Sequence, residues 1–137
     1  MITMTKAKNI SVEIDIPPSV NNLYYSVSYQ DSSGKSRCRR VMTDEGKTYK
    51  AVVGYIVKGE AQRKGWKYDN ERIKMSLLLI FKDRRRRDIT NCIKAVEDAA
   101  AEVLGFDDTV VDDFHVHRGR VDKSNPRAYL TVSVITP

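Results

Sequence analysis

Ile73-Lys74-Met75-Ser76-Leu77-Leu78-Leu79-Ile80-Phe81 is followed, after Lys82, by Asp83-Arg84-Arg85-Arg86-Arg87-Asp88 and then by Ile89-Thr90-Asn91. An apolar run of strand length thus leads through a charged run into a helical pattern. The first run reads as a central strand. Beyond the charges, Ile89, Ile93, Val96, Ala100, Val103 and Leu104 fall on one helical stripe, and Gly105 closes it. Upstream, Asn9 to Ile16 alternates apolar and polar residues, as a half-buried strand does, and Pro17-Pro18 ends it. Ser19 to Asn22 reads as a polar loop. Tyr24, Tyr25 and Val27 begin a second strand, which turns at Asp31 to Gly34 into Lys35–Met42, a hairpin. Thr43 before Asp44 and Glu45 is an N-cap signal for an amphipathic helix over about 44–64. Trp66 and Tyr68 sit in its exit loop, and two more strands are expected near 110–118 and 128–135. The order β, β, β, α, β, α, β, β predicts an α+β fold: a single domain over 1–137, with a mixed β-sheet and two principal helices packed on one face.

The 137 residues carry 24 Lys+Arg against 18 Asp+Glu, a formal charge of +6. That balance favours a polyanionic partner without identifying one. Hydrophobic content of 41% and charged content of 31% suit a globular domain rather than a disordered chain. Two cysteines, Cys38 and Cys92, exclude a disulfide framework. No apolar run approaches the roughly 18 residues that span a bilayer, and the N-terminus lacks the apolar core of a leader. A cytoplasmic protein with no membrane association is expected. Ser/His/Asp geometry, a Gly-rich phosphate loop and a Cys-x-x-Cys pair are all missing from the sequence. Acyl transfer, NTP hydrolysis and zinc binding therefore have no support, and no nucleotide cofactor is expected.

Arginine suits bidentate phosphate contact, and a helix face has no need of four in succession. Arg84, Arg85, Arg86 and Arg87 are either a solvated basic loop or a phosphate grip. Asp88 reads as an N-cap, a role compatible with projecting into solvent at the helix mouth. A helix of about 16 residues is about 24 Å long, so Asp107 and Asp108 at its far end do not reach Asp88 along the rod. Either the chain returns acids alongside, with Asp112 and Asp113 as further candidates, or a partner subunit supplies them. Carboxylates converging on Mg²⁺, with arginines and a lysine around them, are what phosphodiester hydrolysis requires. Arg37, Arg39 and Arg40, read with Tyr24, Tyr25 and Tyr29, form a second basic cluster: a solvated hairpin, a backbone contact or a stacking surface for unpaired bases. His115 and His117 share a strand face beside Arg118 and Arg120 and read as DNA contacts rather than as a metal pair.

Three stretches resemble the RusA family of Holliday junction resolvases. They are Pro17-Pro18-Ser19-Val20-Asn21-Asn22-Leu23-Tyr24-Tyr25, the run Asp83 to Asn91 with Lys94 and Asp98, and Gly105-Phe106-Asp107-Asp108 with Val111 and Asp113. Thr43 to Tyr49 is similar to the family's helix-opening segment. The resemblance implies a homodimer dependent on Mg²⁺, with Mn²⁺ as an alternative, that cuts four-way or branched DNA by symmetric paired nicks. The family's catalytic carboxylates fall on Asp88, Thr90 and Asp108, and its lysine on Lys94. Thr90 departs from the pattern, because a hydroxyl supplies no negative charge. Thr90, Lys94 and Glu97 share one helix stripe, and Asn91, Lys94 and Asp98 an adjacent one. Glu97 either assists the metal region or simply pairs with Lys94. The expected catalytic residues are Asp88, Asp108, Lys94 and Glu97, and the expected metal ligands Asp88, Asp108 and Asp107. Arg84 to Arg87, Asn91, Arg37, Arg39, Arg40 and Arg118 are expected on DNA. The rival expectation is a catalytically weak junction-binding dimer, in which Thr90 marks lost chemistry.

Overall fold

A computed structural model describes residues 8–135; the N-terminal residues on which the absence of a leader was read lie outside them. In chain order the elements are β1 (Asn9–Ile14), α1 (Val20–Leu23), β2 (Tyr24–Gln30), β3 (Ser36–Met42), α2 (Asp44–Lys64), β4 (Arg72–Ile80), α3 (Ile93–Leu104), β5 (Val111–Arg118) and β6 (Arg127–Ile135). Four strands form one mixed sheet in the order β1-β6-β4-β5. β6 runs antiparallel to both β1 and β4, whereas β4 and β5 are parallel. β4 therefore has a neighbour on each edge, as its apolar run predicts. Parallel neighbours need a crossover connection, and here that connection contains α3.

Alternation decides which face is buried. Ile73, Met75, Leu77 and Leu79 of β4 and Leu130 of β6 are completely buried, and Val132 of β6 and Ile10 of β1 nearly so. Each such side chain contributes about 1.5–3 kcal/mol relative to exposure. Val53, Val57 and Ala61 of α2, together with Val96, Ala99 and Ala100 of α3, complete the same core. The two helices approach closely at Gly54, where a Cβ would stand 2.9 Å from Cγ1 of Val103. The sheet's other face is polar: Ser11, Thr131, Ser76 and His115 lie in one cross-strand row. This is the α+β arrangement expected, with both principal helices on one face.

Four local differences have physical causes. β1 stops at Ile14, because Asp15 turns its carbonyl to Tyr49 Oη at 2.9 Å, ahead of two prolines that lack N–H donors. The expected loop at 19–22 contains one helical turn, α1, seated by the buried Leu23. The hairpin forms, but as a separate two-stranded sheet. The helix expected from Ile89 begins as a 3₁₀ turn, Ile89–Cys92, and becomes α-helical only at Ile93. The Asp88 carboxylate accepts from Thr90 N, and Asn91 N–H bonds Asp88 O, so the first turn is wound tightly. Thr43 caps α2 as expected, accepting from Gly46 N at 3.0 Å.

The hairpin turn is organised by Asp31, whose carboxylate accepts from Arg37 Nε at 2.6 Å and from the backbone N–H groups of Ser33 and Lys35. Arg37 and then Ser33 hold this carboxyl at about 2, below its ordinary 3.8. A depressed carboxylate stabilises the fold in full above its ordinary range, and that contribution is lost as pH falls through the folded value. Amide protection at Ser33 and Lys35 is thus expected to persist at pH 4 and to fade between pH 3.8 and about 2. In Asp31→Asn it is expected to be weak throughout, with no step in that window; hydrogen exchange read by NMR checks both.

Candidate active site

β4 delivers the chain to Phe81, whose buried ring carries two guanidinium groups. Arg87 lies over it at 4.6 Å, and Arg118, from the end of β5, at 5.1 Å. Arg87 also pairs with Asp83 at 2.8 Å, and Arg118 donates to Arg87 O at 3.1 Å. These two arginines brace the loop. Arg84, Arg85 and Arg86 are exposed and make no ion pair among the described residues. Asp83 sits below the usual carboxylate range because it accepts from the Arg85 backbone N–H and then from Arg87. Arg85, Arg86, Arg87, Asp88 and Asn91 line a cleft of about 510 Å³, whose facing wall includes Pro17, Ser19 and Asn22. Two stretches far apart in sequence therefore form a single basic groove. Asp88 in this groove accepts from Thr90 Oγ1 at 2.6 Å and Thr90 N at 3.1 Å, which holds its carboxyl below the ordinary value.

A second group forms farther along α3. Gly105 takes φ 82°, a conformation that glycine adopts without a Cβ penalty, and donates to Ala101 O at 2.9 Å. Phe106 is buried beside Tyr68, with ring centroids 5.6 Å apart. The chain then winds into a 3₁₀ turn, Asp108–Val110, that runs back alongside the helix. Asp107 caps this turn by accepting from Thr109 N at 2.9 Å, the main cause of its lowered pKa. Lys94 Nζ lies 3.5 Å from Asp108 Oδ2 and 3.1 Å from Asp98 Oδ1. Glu97, Asp98 and Asp108 each place a carboxylate oxygen within 4.8 Å of the others. Burial first, then the neighbouring Asp108 and Asp98, push the Glu97 carboxyl up, while Asp98 and then Asp108 raise Lys94. Arg72 holds the returning turn from the side: it donates to Thr109 O and to Asp112, each at 2.8 Å.

The structure thus brings together Asp108, Lys94 and Glu97 among the expected catalytic residues. Asp88 joins the arginines and Asn91 in the groove, outside the three-carboxylate group. Asp107 turns its carboxylate to its own turn. Of the further acids, Asp112 pairs with Arg72 and Asp113 with His115 at 3.0 Å. Asp108 returns alongside the helix within one chain, one of the two alternatives that the length of the rod left open. The simple Lys94–Glu97 pair is absent among the described residues, because Lys94 pairs with Asp98 and Asp108 instead. Asp98 was missing from the expected site although its signal was present: it stands four residues after Lys94 on one stripe. Arg37, Arg39 and Arg40 lie on β3, where Arg37 pairs with Asp31 and Arg40 stacks on Tyr24 at 4.7 Å.

Three carboxylate oxygens so close together are a donor set suited to a hard divalent cation. Lys94 already supplies positive charge to two of them, so it and a cation compete for the same oxygens. Residues 16–133 match the sequence model of the family described as Endodeoxyribonuclease RusA, a span that contains all three stretches carrying the resemblance. No curated protein matches the chain. Among the described residues, no helix is long and apolar enough to cross a membrane.

Arg72 acts on the site through the turn it holds. Its ion pair with Asp112 is exposed and contributes little to stability, so Arg72→Met is expected to leave the melting temperature almost unchanged. Loosening the turn that presents Asp108 is expected to weaken Mn²⁺ binding by about tenfold, as measured by calorimetric titration; wild-type affinity would remove Arg72 from the site.

Proposed function

The chain belongs to the RusA family of endodeoxyribonucleases, and from that premise we propose that it resolves four-way DNA junctions by paired, metal-dependent nicks as a homodimer. The supporting observation is the carboxylate group Glu97, Asp98 and Asp108 on the same crossover as an arginine-lined groove. RusA nucleases depend in general on a divalent metal. The oxygen donors of the group fit such an ion, with Mg²⁺ proposed and Mn²⁺ as its substitute. Such an ion, held there, would supply activation of the attacking water and charge stabilisation at the leaving oxygen.

In this reading the chain's own residues divide the work. Asp108, Glu97 and Asp98 would hold the ion. Lys94 neutralises excess carboxylate charge and lies close enough to Asp108 to face a phosphate presented there. Arg84, Arg85 and Arg86 grip the strand backbone, while Arg87 and Arg118 fix the loop that carries them. Asn91 lines the same groove. Asp88 keeps the catalytic role that its position in the family motif implies, with Thr90 orienting it by a hydroxyl bond rather than adding a charge.

Thr90 also favours a second reading. With a hydroxyl in place of a carboxylate, the protein is a junction binder of weak activity. A synthetic four-way junction incubated with and without Mg²⁺ separates the two: symmetric nicks support the nuclease, and a mobility shift without nicks supports the binder. Asp108→Asn and Asp88→Asn are each expected to lower the cleavage rate by about a hundredfold or more while leaving junction affinity within a few-fold. Retained cleavage in either variant removes that residue from the site.

The groove makes a separate prediction. Replacing both Arg85 and Arg86 by alanine is expected to flatten the dependence of log affinity on log salt by about two units. An unchanged slope would put the run off the DNA.

A further inference from the structure

The β2–β3 hairpin is joined to the rest of the molecule almost only at its root. Its strands pair with each other, β2 touches α1, and among the described residues no other element makes an extended contact with it. Thr43 N–H bonds Leu23 O at 2.7 Å across that root, next to Asn22, which lines the arginine groove. The hairpin therefore projects from the edge of the groove, about 23 Å along each seven-residue strand.

Its pairing sorts the side chains into two unlike faces. Residues opposite each other across a ladder share a face. Tyr25 pairs with Val41, Val27 with Arg39 and Tyr29 with Arg37, so these six lie together; Tyr24, Arg40 and Cys38 lie on the other side. On that other side the Tyr24 ring is already covered by Arg40. On the first side, Tyr25 is 53% exposed and Tyr29 44%, although an aromatic and β-branched stripe is the surface a strand normally buries. A lone two-stranded hairpin is at best marginally stable, so a partner on this face stabilises it.

Charge selects among partners. Residues 24–42 contain Lys35, Arg37, Arg39 and Arg40 against Asp31 as the one acid, a net charge of +3. A second copy's hairpin would bring the same charge and repel, whereas a polyanion is attracted. Spacing narrows the choice further. Tyr25 and Tyr29 are four residues apart on one strand, about 13 Å, far wider than the 3.4 Å rise of a stacked duplex strand. Two rings so placed fit bases splayed out of the helix, not an intact stack.

We propose that the face formed by Tyr25, Val27, Tyr29, Arg37 and Arg39 captures unpaired bases at a DNA branch point. The tyrosine rings stack on the splayed bases, and Arg39, between them on the facing strand, holds the intervening phosphate. This inference rests on the DNA-cutting reading and assigns the structure-selective part of it to the hairpin rather than to the groove.

The test uses the full chain in metal-free buffer, so that no cleavage intervenes. It compares a four-way junction with a linear duplex of equal length, with 2-aminopurine at the branch point. The wild-type protein is expected to prefer the junction and to change the 2-aminopurine emission on binding. Tyr25→Ala with Tyr29→Ala is expected to lose about tenfold or more in junction affinity, to keep duplex affinity, and to abolish the emission change. Tyr25→Phe with Tyr29→Phe keeps the rings and is expected to restore all three readouts. Equal losses on junction and duplex, or none, would overturn the proposal. A tyrosine-dependent dimer in sedimentation, with unchanged DNA selectivity, would overturn it in favour of a second copy on this face. If wild-type protein binds neither DNA, the nuclease reading itself fails; if it binds and prefers the junction while the alanine variant does so equally, only the hairpin's role fails.

Discussion

The parallel pairing of β4 with β5 imposes the constraint on which the rest depends. Antiparallel neighbours need only a short turn, but parallel neighbours need a chain that leaves one end of the sheet and re-enters at the other. Here that chain is the loop of arginines, α3 and the returning turn. The arginine run and the clustered carboxylates lie on this path, and its two ends are tied to the sheet by side chains. Arg118 at the end of β5 holds the outgoing loop through Phe81 and Arg87 O. Arg72 at the start of β4 holds the returning turn through Thr109 O and Asp112. The crossover is thus pinned at both ends by guanidinium groups, and the carboxylates lie between the pins.

Much of this was legible in the sequence. Strand and helix periodicities placed the elements, because burial on one face imposes those periods directly. Thr43 and Gly105 marked helix ends, because their cap geometry depends on local chemistry alone. The return of Asp108 to Lys94 was open in principle, since it depends on how tightly residues 105–110 turn. Gly105 and Phe106 could suggest that turn, but the anchor that sets its path, Arg72, stands 33 positions before Gly105. The placement of Asp98 was concealed differently. It occupied a correct stripe but had an ordinary explanation as a surface partner of Lys94, and only the arrival of Asp108 from outside the helix gives it another. The detachment of the hairpin from the main sheet was beyond local reasoning, because strand propensity does not specify which sheet a strand joins.

The arginine run shows how uniform composition conceals a division of labour. The four identical side chains in succession do not behave alike, because packing on Phe81 selects one of them. Arg87 spends its charge on Asp83 and on the ring, whereas Arg84, Arg85 and Arg86 remain in solvent. A net charge counts all four equally. The field felt by a polyanion comes from the three that are not internally compensated.

The inner stripe of α3 is built from Ala95, Val96, Ala99 and Ala100, all buried, and it meets α2 where Gly54 leaves no room for a side chain. Its outer stripe carries Lys94, Glu97 and Asp98. Small inward residues let the helix lie close to its support, and the exposed Glu102 adds an ion pair to Lys50 of α2. Substitutions at Lys94, Glu97 and Asp98 therefore leave in place the buried contacts that seat the helix. Packing and the clustered charges thus lie on different sides of the same twelve residues, so the outer charges are free to vary while the architecture stays fixed.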